Sequence, residues 1–247
     1  TTADLQPLPA SFFARDAVTV ARELPGATLV HALADGTVLA GTIVETEAYR
    51  EDDPASHSHR GRTPRTEVMF GPPGRAYVYF IYGMYDCFNV VCEPEGSGAA
   101  VLIRAVHPEV GWREMWERRF PGKPMPEWVA GAGGAPPGVH GGPAEGDAGG
   151  QPPGRPAPAR LTRPVRNLTS GPGKLCRAMA ITRGEHNGAV LTEAPAGSGE
   201  RLAVTRPRDD HWPLADHEIN VGTRVGITKA AHVEWRYSVA GDPFVSR

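Results

Sequence analysis

Two carboxylates lie within one strand-like segment, IVETEAY, at residues 43–49. Side chains alternate along a strand, so Glu45 and Glu47 share a face with Leu39 and Ile43. Carboxylates are seldom left on an apolar face without a partner. The pair indicates either a strand that runs out into solvent or a site that holds a carboxylate as a general base. These residues alone do not separate Glu45 from Glu47.

Two further polar residues interrupt apolar runs, Arg104 in VLIRAV and Asn89 in CFNVV. A buried guanidinium is costly unless it is paired, so Arg104 needs a carboxylate, a phosphate or a polar site nearby. Asn89 likewise needs hydrogen-bond partners for its amide if its strand is buried. Both residues are candidates for a polar site built among apolar strands.

His57 and His59, in HSHRGR, could bring two imidazoles to one metal ion. No third ligand is in range, whereas zinc sites use three or four protein ligands, so this pair is a weak signal for a metal site. We expect neither a metal nor a cofactor. The SGPGK segment lacks the Walker A pattern, because Leu175 stands where that pattern needs Ser or Thr. Backbone amides of this segment, at a helix N-terminus, could hold one phosphate.

Positive charge is concentrated in two runs, although the net charge is only −2. The segments 57–65 and 148–184 contain several basic residues and no acidic one. Clustered Arg and Lys side chains are typical of phosphate contact, and the alternative is a solvated basic surface. The candidate phosphate contacts are Arg62, Arg65, Arg163, Arg166 and Lys174.

An aromatic cluster occupies residues 76–92, AYVYFIYGMYDCFNVVC, which hold most of the tyrosines of the chain. Two β-rich runs joined by a short turn predict a hairpin. Strand alternation puts Tyr77, Tyr79 and Ile81 on one face and Phe80 and Tyr82 on the other. Aromatic residues also favour ordinary half-buried sheets, so packing alone is the alternative interpretation.

The periodicity of the chain predicts an α+β fold, with a curved, mainly antiparallel sheet, flanking helices and a protruding β-hairpin. We expect a single domain over residues 1–247, with a disordered Gly/Pro-rich insertion at about 131–160, because that stretch cannot pack a core. Helices are predicted at 11–24, capped by Ser11 or Asp16, at 108–120, and at 169–181, capped by Ser170. Strands are predicted at 27–33, 37–49, 75–82, 85–92, 99–106, 219–227 and 233–241.

Composition limits the class of protein. No apolar run approaches the roughly 18 residues of a membrane span, and the first residues carry no pattern of a secretory signal. Three cysteines without C-x-x-C spacing argue against a disulfide framework or a cysteine zinc site. We expect a cytoplasmic monomer without membrane contact, associated with the nucleoid if the source is bacterial.

Several segments together resemble the 3-methyladenine (alkyladenine) DNA glycosylase family, monofunctional enzymes that excise alkylated purines. They are GTIVETEAY, HSHRGRTPRTEVMFGPPGRAYVYFIYGMYDCFNVV, AAVLIRA and SGPGKLCRAMAI, in the order of the family. The resemblance runs from about residue 11 to the C-terminus and is interrupted by the Gly/Pro-rich loop. The ETEAY and YVYFIYGMYxCxN motifs are its most specific parts.

The resemblance implies a role for each residue of these motifs. Glu47 matches the general base that activates water, and Arg104 and the carbonyl of Val225 match groups that hold this water. The residues that match the base pocket are Tyr49, His57, Tyr79 and Asn89. Of these, Asn89 matches the asparagine that disfavours the exocyclic amino group of guanine.

The hairpin tip has an implied role as well. Tyr82 and Met84 match residues that intercalate from the minor groove, since a base must leave the duplex before its glycosidic bond can be reached. Tyr79 would then belong to the wall on which the extruded base stacks. Tyr77 and Tyr85 we interpret as sheet packing.

The implied partner is double-stranded DNA that contains damaged purines, alkylated or deaminated. No lysine occurs between Thr1 and Arg118, so we expect no Schiff base with the sugar and hence no lyase activity. One alternative is a non-catalytic lesion-binding protein, which would lack Glu47 or Arg104. Another is a metal hydrolase built on the two histidines of HSHRGR.

Overall fold

The computed structural model describes residues 6–81, 83–127, 161–193, 199–207 and 211–246. The predicted disorder at 131–160 and the position of Tyr82 therefore lie outside the described residues. Within the described ranges the fold is α+β, as predicted.

A mainly antiparallel sheet of eight strands forms the centre of the molecule. The order β3-β4-β5-β2-β1-β6 makes up most of it, and β8 pairs with both β2 and β7. The strands are β1 (Thr28–Ala32), β2 (Val38–Tyr49), β3 (Ala76–Ile81), β4 (Tyr85–Cys92), β5 (Ala99–Val110), β6 (Arg201–Thr205), β7 (Ile219–Gly222) and β8 (Arg236–Val239).

The helices are short and pack around this sheet. They are α1 (Ala10–Phe13), α2 (Ala17–Glu23), α3 (Trp112–Arg119), α4 (Arg163–Arg166), α5 (Pro172–Ala178) and α6 (Arg183–His186). The sequence predicted one helix over 11–24, and the structure has two helices there, with the predicted cap at Asp16 confirmed for the second. The chain is divided at Asp16, whose carboxylate accepts the Thr19 amide at 3.0 Å. Aspartate stabilises a helix start better than a helix interior, so it begins a second helix.

Other boundaries also differ from the predicted ones. The helix predicted over 169–181 begins at Pro172, after Gly171, and Ser170 pairs with Ala105 of β5 instead of capping it. The strand predicted over 219–227 ends at Gly222. Beyond Gly222 the chain approaches β2, and the amide of Val225 donates to the Glu47 carboxylate instead of pairing with a strand.

The two faces of the sheet bury different sets of residues. One face, with the helices, holds the main core, which includes Phe13, Phe88, Met115 and Trp116. The opposite face carries a smaller cluster of Met69, Phe70, Tyr77, Val91 and Ala100. Alternation along β4 separates the two sets, and the second face is the one that carries Tyr79 and Asn89.

Two irregularities occur where β2 meets β5. The pairing passes from Ile43–Val106 to Glu45–Ala105 and then to Thr46–Ile103, so it skips Val44 on β2 and Arg104 on β5. Such bulges redirect a side chain and twist the strand. They lie beside the two carboxylates that the sequence singled out.

Candidate active site

A cavity of about 640 Å³ opens on the second face of the sheet. Its floor comes from β2, β3, β4 and β5, and its rim from the residues before and within α5 and from the loop around Val225. It contains most of the predicted site residues that the structure describes, namely Glu47, Tyr49, His57, Tyr79, Asn89, Arg104, Lys174 and Val225.

Glu47 is fully buried in the cavity wall and is held by three donors. The Tyr49 hydroxyl donates to Oε2 at 2.8 Å and the Val225 amide to Oε1 at 2.7 Å. A guanidinium nitrogen of Arg104 lies 3.2 Å from Oε1. A carboxylate has about four acceptor positions, so one remains for a further donor in the cavity.

Glu45 is also fully buried, and it accepts from four donors. Oε1 accepts from Arg104 at 2.9 Å, Arg236 at 2.6 Å and the Ser246 hydroxyl at 2.8 Å. Oε2 accepts the Ser246 amide at 2.7 Å. Glu45 does not line the cavity. The geometry therefore separates the two carboxylates, which the sequence left open, and leaves Glu47 as the one able to meet a ligand.

Arg104 lies between the two carboxylates. Its Nε contacts Glu45 and its Nη1 contacts Glu47, at 2.9 and 3.2 Å. The bulge that skips Arg104 on β5 explains how one side chain on this strand reaches both partners. The partner that the sequence required for a buried guanidinium is thus a pair of carboxylates.

The loop that carries Val225 is fixed by Arg224. This guanidinium is buried, forms an ion pair with Asp53 and donates to the Ala48 carbonyl at 3.0 Å. It also stacks on the ring of Tyr49, 4.8 Å from the centroid. No pattern in the sequence singled out Arg224 or Asp53, because their pairing spans most of the chain.

The wall of the cavity is aromatic. Tyr79 contacts the His57 ring edge to face, with centroids 4.5 Å apart, and lies 5.6 Å from Tyr77. Tyr77 has two roles, since it packs in the smaller cluster and also lines the cavity. Interpreting Tyr77 as sheet packing alone was therefore incomplete. Burial raises the pKa of Tyr79 and of Tyr49, so both are neutral hydroxyls at physiological pH.

His57 is neutral and has a defined tautomer. Burial, together with the nearby Arg65 cation, lowers the pKa of His57 to about 4. Nε2 lies 3.4 Å from the guanidinium of Arg65, which can only donate. Nδ1 must then carry the proton and donate it to the Tyr77 hydroxyl, 3.1 Å away. The imidazole is thus a fixed, uncharged part of the wall.

Asn89 lies at the bottom of the cavity on β4. Its amide nitrogen donates to the carbonyl of Tyr77 at 3.0 Å and more weakly to that of Cys87 at 3.4 Å. These bonds satisfy the buried amide and hold it in one orientation. A ligand in the cavity therefore meets a rigid polar group.

The hairpin tip exposes apolar side chains. Met84 is 63% exposed and Phe80 is 48% exposed. Tyr85, interpreted from sequence as sheet packing, is instead 44% exposed at the cavity mouth. A Cβ on Gly173 would lie 2.8 Å from the Tyr85 ring, so glycine permits this close approach of α5 to the hairpin.

The predicted phosphate contacts differ in their surroundings. Arg62 is exposed and pairs with Glu67, and Arg65 lies beside His57. Arg163 and Arg166 are on α4, and Lys174 is on α5 with its ammonium 2.8 Å from the Asn167 amide oxygen. Lys174 lines the cavity. The argument that no lysine lies near the motifs is therefore wrong for the folded chain, although it holds for distance along the sequence.

His57 and His59 do not form a metal site with a third ligand among the described residues. His59 is exposed and lies 3.2 Å from the Glu51 carbonyl, away from the Tyr77 contact of His57. Within the same residues, no helix has the length and apolar character that crossing a bilayer requires. All three cysteines are buried and free.

A deep aromatic cavity with one carboxylate that retains a free acceptor is typical of enzymes that enclose a planar group beside a general base. A family model described as methylpurine-DNA glycosylase (MPG) matches residues 11–243. The chain therefore belongs to the methylpurine-DNA glycosylase family. Membership places it among the DNA glycosylases, hydrolases of base excision repair that act on damaged DNA.

Individual relatives cover nearly the whole chain. A candidate 3-methyladenine DNA glycosylase of Methanoculleus marisnigri is 40% identical over 240 residues, 97% of this chain and 98% of the relative. Relatives with the same description from Nitrobacter winogradskyi and Bacillus cereus are 40% and 38% identical. They cover 98% and 97% of this chain and 88% and 98% of their own lengths.

Proposed function

We propose that the protein is a monofunctional DNA glycosylase that extrudes alkylated or deaminated purines from duplex DNA and hydrolyses their N-glycosidic bond. The observation that carries this proposal is the state of Glu47. It is a buried carboxylate in the wall of an aromatic cavity, held by Tyr49, Arg104 and Val225, with one acceptor position left. That position suits a water molecule that has to be oriented and deprotonated.

The reaction follows from this arrangement. Cleavage of the glycosidic bond proceeds through an oxocarbenium-like transition state, which a nearby carboxylate stabilises. Glu47 accepts a proton from the attacking water as that water bonds to the sugar carbon. The base leaves with the bonding electrons, and an alkylated purine leaves easily because it is cationic. Arg104 orients Glu47 through an ion pair at 3.2 Å.

The cavity suits a single extruded purine. Tyr79, Tyr77 and the neutral His57 offer aromatic surface, and stacking on such surface contributes about 1–3 kcal/mol per base. The neutral imidazole also avoids repulsion with a cationic base. The fixed amide of Asn89 would act as a filter against the exocyclic amino group of guanine, which favours damaged over normal bases.

The absence of lyase activity has to be tested directly, because Lys174 lines the cavity. Burial, followed by the nearby cations Arg119 and Arg163, lowers the pKa of Lys174, which increases its nucleophilic fraction. Its ammonium is nevertheless bonded to Asn167 at 2.8 Å. We expect no borohydride-trapped complex with a lesion duplex. A complex that is trapped with the wild type but not with Lys174→Gln would show that Lys174 forms a Schiff base, and it would contradict monofunctional hydrolysis.

The two alternatives make different predictions. A non-catalytic lesion-binding protein needs no buried carboxylate with an unused acceptor, yet Glu47 has one. A metal hydrolase on His57 and His59 would lose activity with a chelator and in His59→Gln, and we expect neither loss.

The deciding experiment compares Glu47→Gln with Glu45→Gln. Glu47→Gln keeps the shape of the side chain but removes the base. The single-turnover rate of hypoxanthine excision from a duplex should therefore fall by about 10² to 10⁴-fold. Binding of this duplex should persist, because the loss is in the chemical step. Glu45→Gln should cost much less, as Glu45 does not reach the cavity. Abasic products are scored by alkaline cleavage.

One control makes the result interpretable. Circular dichroism melting must show that each variant is folded at the assay temperature, since both glutamates are buried. Excision at the wild-type rate in Glu47→Gln, or a larger loss in folded Glu45→Gln, would contradict the assignment of the base.

A further inference from the structure

A cluster of two histidines and one glutamate lies away from the candidate active site. His31 is on β1, His186 ends α6, and Glu200 precedes β6. None of them lines the large cavity. Both histidines are buried, and Glu200 is partly exposed. The reaction proposed above uses none of these groups.

The three ligand atoms form a nearly equilateral triangle. His31 Nε2 lies 2.9 Å from Glu200 Oε1 and 3.2 Å from His186 Nε2, and the third side is 3.4 Å. A tetrahedral zinc ion with bonds of about 2.0–2.1 Å holds its ligand atoms about 3.3 Å apart. One ion can therefore contact all three atoms with little rearrangement of the side chains.

The Nε2 atom of His31 faces the other two residues of the cluster. Nδ1 of this ring lies 2.6 Å from the Met179 carbonyl, which only accepts, so Nδ1 carries a proton. Nε2 therefore points at the Glu200 carboxylate and the His186 ring, 2.9 and 3.2 Å away. A metal ion between the three atoms would replace the proton that joins them in its absence.

The surroundings resemble those of protein metal sites. The Nδ1 contact with Met179 orients the His31 ring, as outer partners of ligating histidines do. His186 Nδ1 accepts the Thr182 amide at 3.1 Å and lies 3.2 Å from the Thr182 carbonyl, so the Thr182 backbone holds this ring with Nε2 towards the cluster. A second cavity, of about 340 Å³, adjoins His186 and Glu200. It offers an entry path and space for water as a fourth ligand.

We propose that His31, His186 and Glu200 bind one divalent transition-metal ion of the type that prefers imidazole and carboxylate, with zinc as the natural probe. Through its three ligands the ion would connect α6 to β1 and to the start of β6. α6 in turn supports the hairpin, since Arg183 donates its amide to Asp86 at 3.2 Å and Asn187 accepts the Val78 amide at 3.0 Å. The ion is thus structural and separate from the hydrolysis.

The test measures zinc binding directly. After treatment with a chelator and its removal, the protein is dialysed against zinc, and metal content and the melting temperature are measured. We expect one zinc per chain and a rise in Tm of about 5 °C at saturating zinc. Cobalt in place of zinc should give the visible absorption of a tetrahedral site.

Variants locate the bound ion. Glu200→Gln and His186→Gln should weaken zinc binding by about 100-fold or more, because loss of an outer partner alone costs 10–100-fold. The exposed histidines His59 and His217 provide control substitutions, His59→Gln and His217→Gln, which should bind as the wild type does. The proposal is wrong if the wild-type protein shows no saturable zinc binding or no zinc-dependent rise in Tm, whatever the variants do. Equal binding by wild type and Glu200→Gln also overturns it, as does loss of binding in His59→Gln.

Discussion

Two buried glutamates of β2, two residues apart, differ in the donors that surround them. Glu45 accepts from four donors and does not line the cavity, whereas Glu47 accepts from three and faces the cavity. Both depend on Arg104 for charge compensation. A single arginine thus connects a structural ion-pair network with the proposed catalytic base.

His57 provides a prediction on pH. Its pKa of about 4 in the folded state is below the ordinary value of 6.5, so the unfolded chain binds more protons between these two values. The stability contributed by neutral His57 is fully present above about pH 6.5 and is lost as the pH falls towards 4. Arg65→Gln should raise this pKa, though not to 6.5, because burial remains the larger cause.

NMR titration of the His57 imidazole would measure the change. Arg62→Gln is the matched control, since Arg62 belongs to the same loop but pairs with Glu67. An unchanged pKa in Arg65→Gln would mean that the guanidinium does not face Nε2, and the tautomer deduced for His57 would then be wrong.

At the scale of elements, the β3–β4 hairpin combines a stacking wall with an exposed apolar tip. Met84→Ser should weaken binding of a lesion duplex by roughly 10-fold, because an apolar side chain that enters the base stack compensates for the extruded base. Binding of the lesion in single-stranded DNA should change much less. Melting temperature should stay constant, since Met84 is 63% exposed.

Val221→Ser is a suitable control for the hairpin tip. Val221 is 54% exposed on β7 and does not belong to the hairpin or the cavity wall. Equal effects of the two substitutions on duplex binding would argue against a wedge at the hairpin tip. Tyr82→Ser, by the proposed role, should behave as Met84→Ser does.

The elements that local sequence patterns determine could be predicted, and those that long-range contacts determine could not. Alternation along β3 correctly put Tyr77, Tyr79 and Ile81 on one face, and all three line the cavity. The helix predicted over 11–24 is divided in two, because the predicted cap at Asp16 begins a second helix within the apolar period. β6 and α6 carry weak patterns of their own and were not predicted.

The candidate site shows the same division. Strand position and the family motifs selected Glu47, Arg104 and Asn89. Residues brought in by the fold escaped prediction, such as Arg224 and Ser246. Lys174 was predicted as a phosphate contact, but its place in the cavity lining was not. The partners of these residues lie far away in sequence, and nothing in a linear pattern specifies such contacts. The lysine argument failed for this reason, because it measured distance along the chain.

At the scale of the whole molecule, charge is distributed unevenly. The net charge of −2 conceals a basic region beside the cavity, formed by Lys174 with Arg119 and Arg163 nearby. Burial, followed by repulsion from these two arginines, lowers the pKa of Lys174. A phosphate at this position would relieve the repulsion, which favours a DNA backbone contact over a merely solvated surface.

The salt dependence of DNA binding tests this. Each phosphate contact contributes about 0.9 to the slope of log K against log salt concentration, so neutralising one true contact should reduce that slope by about one unit. We expect this for Lys174→Gln, and for Arg163→Gln and Arg166→Gln if α4 follows the backbone. Arg206→Gln is the matched control, because Arg206 is exposed just after β6, at the sheet edge opposite β3. An unchanged slope in all three variants, or an equal reduction in Arg206→Gln, would show that this basic region does not contact DNA.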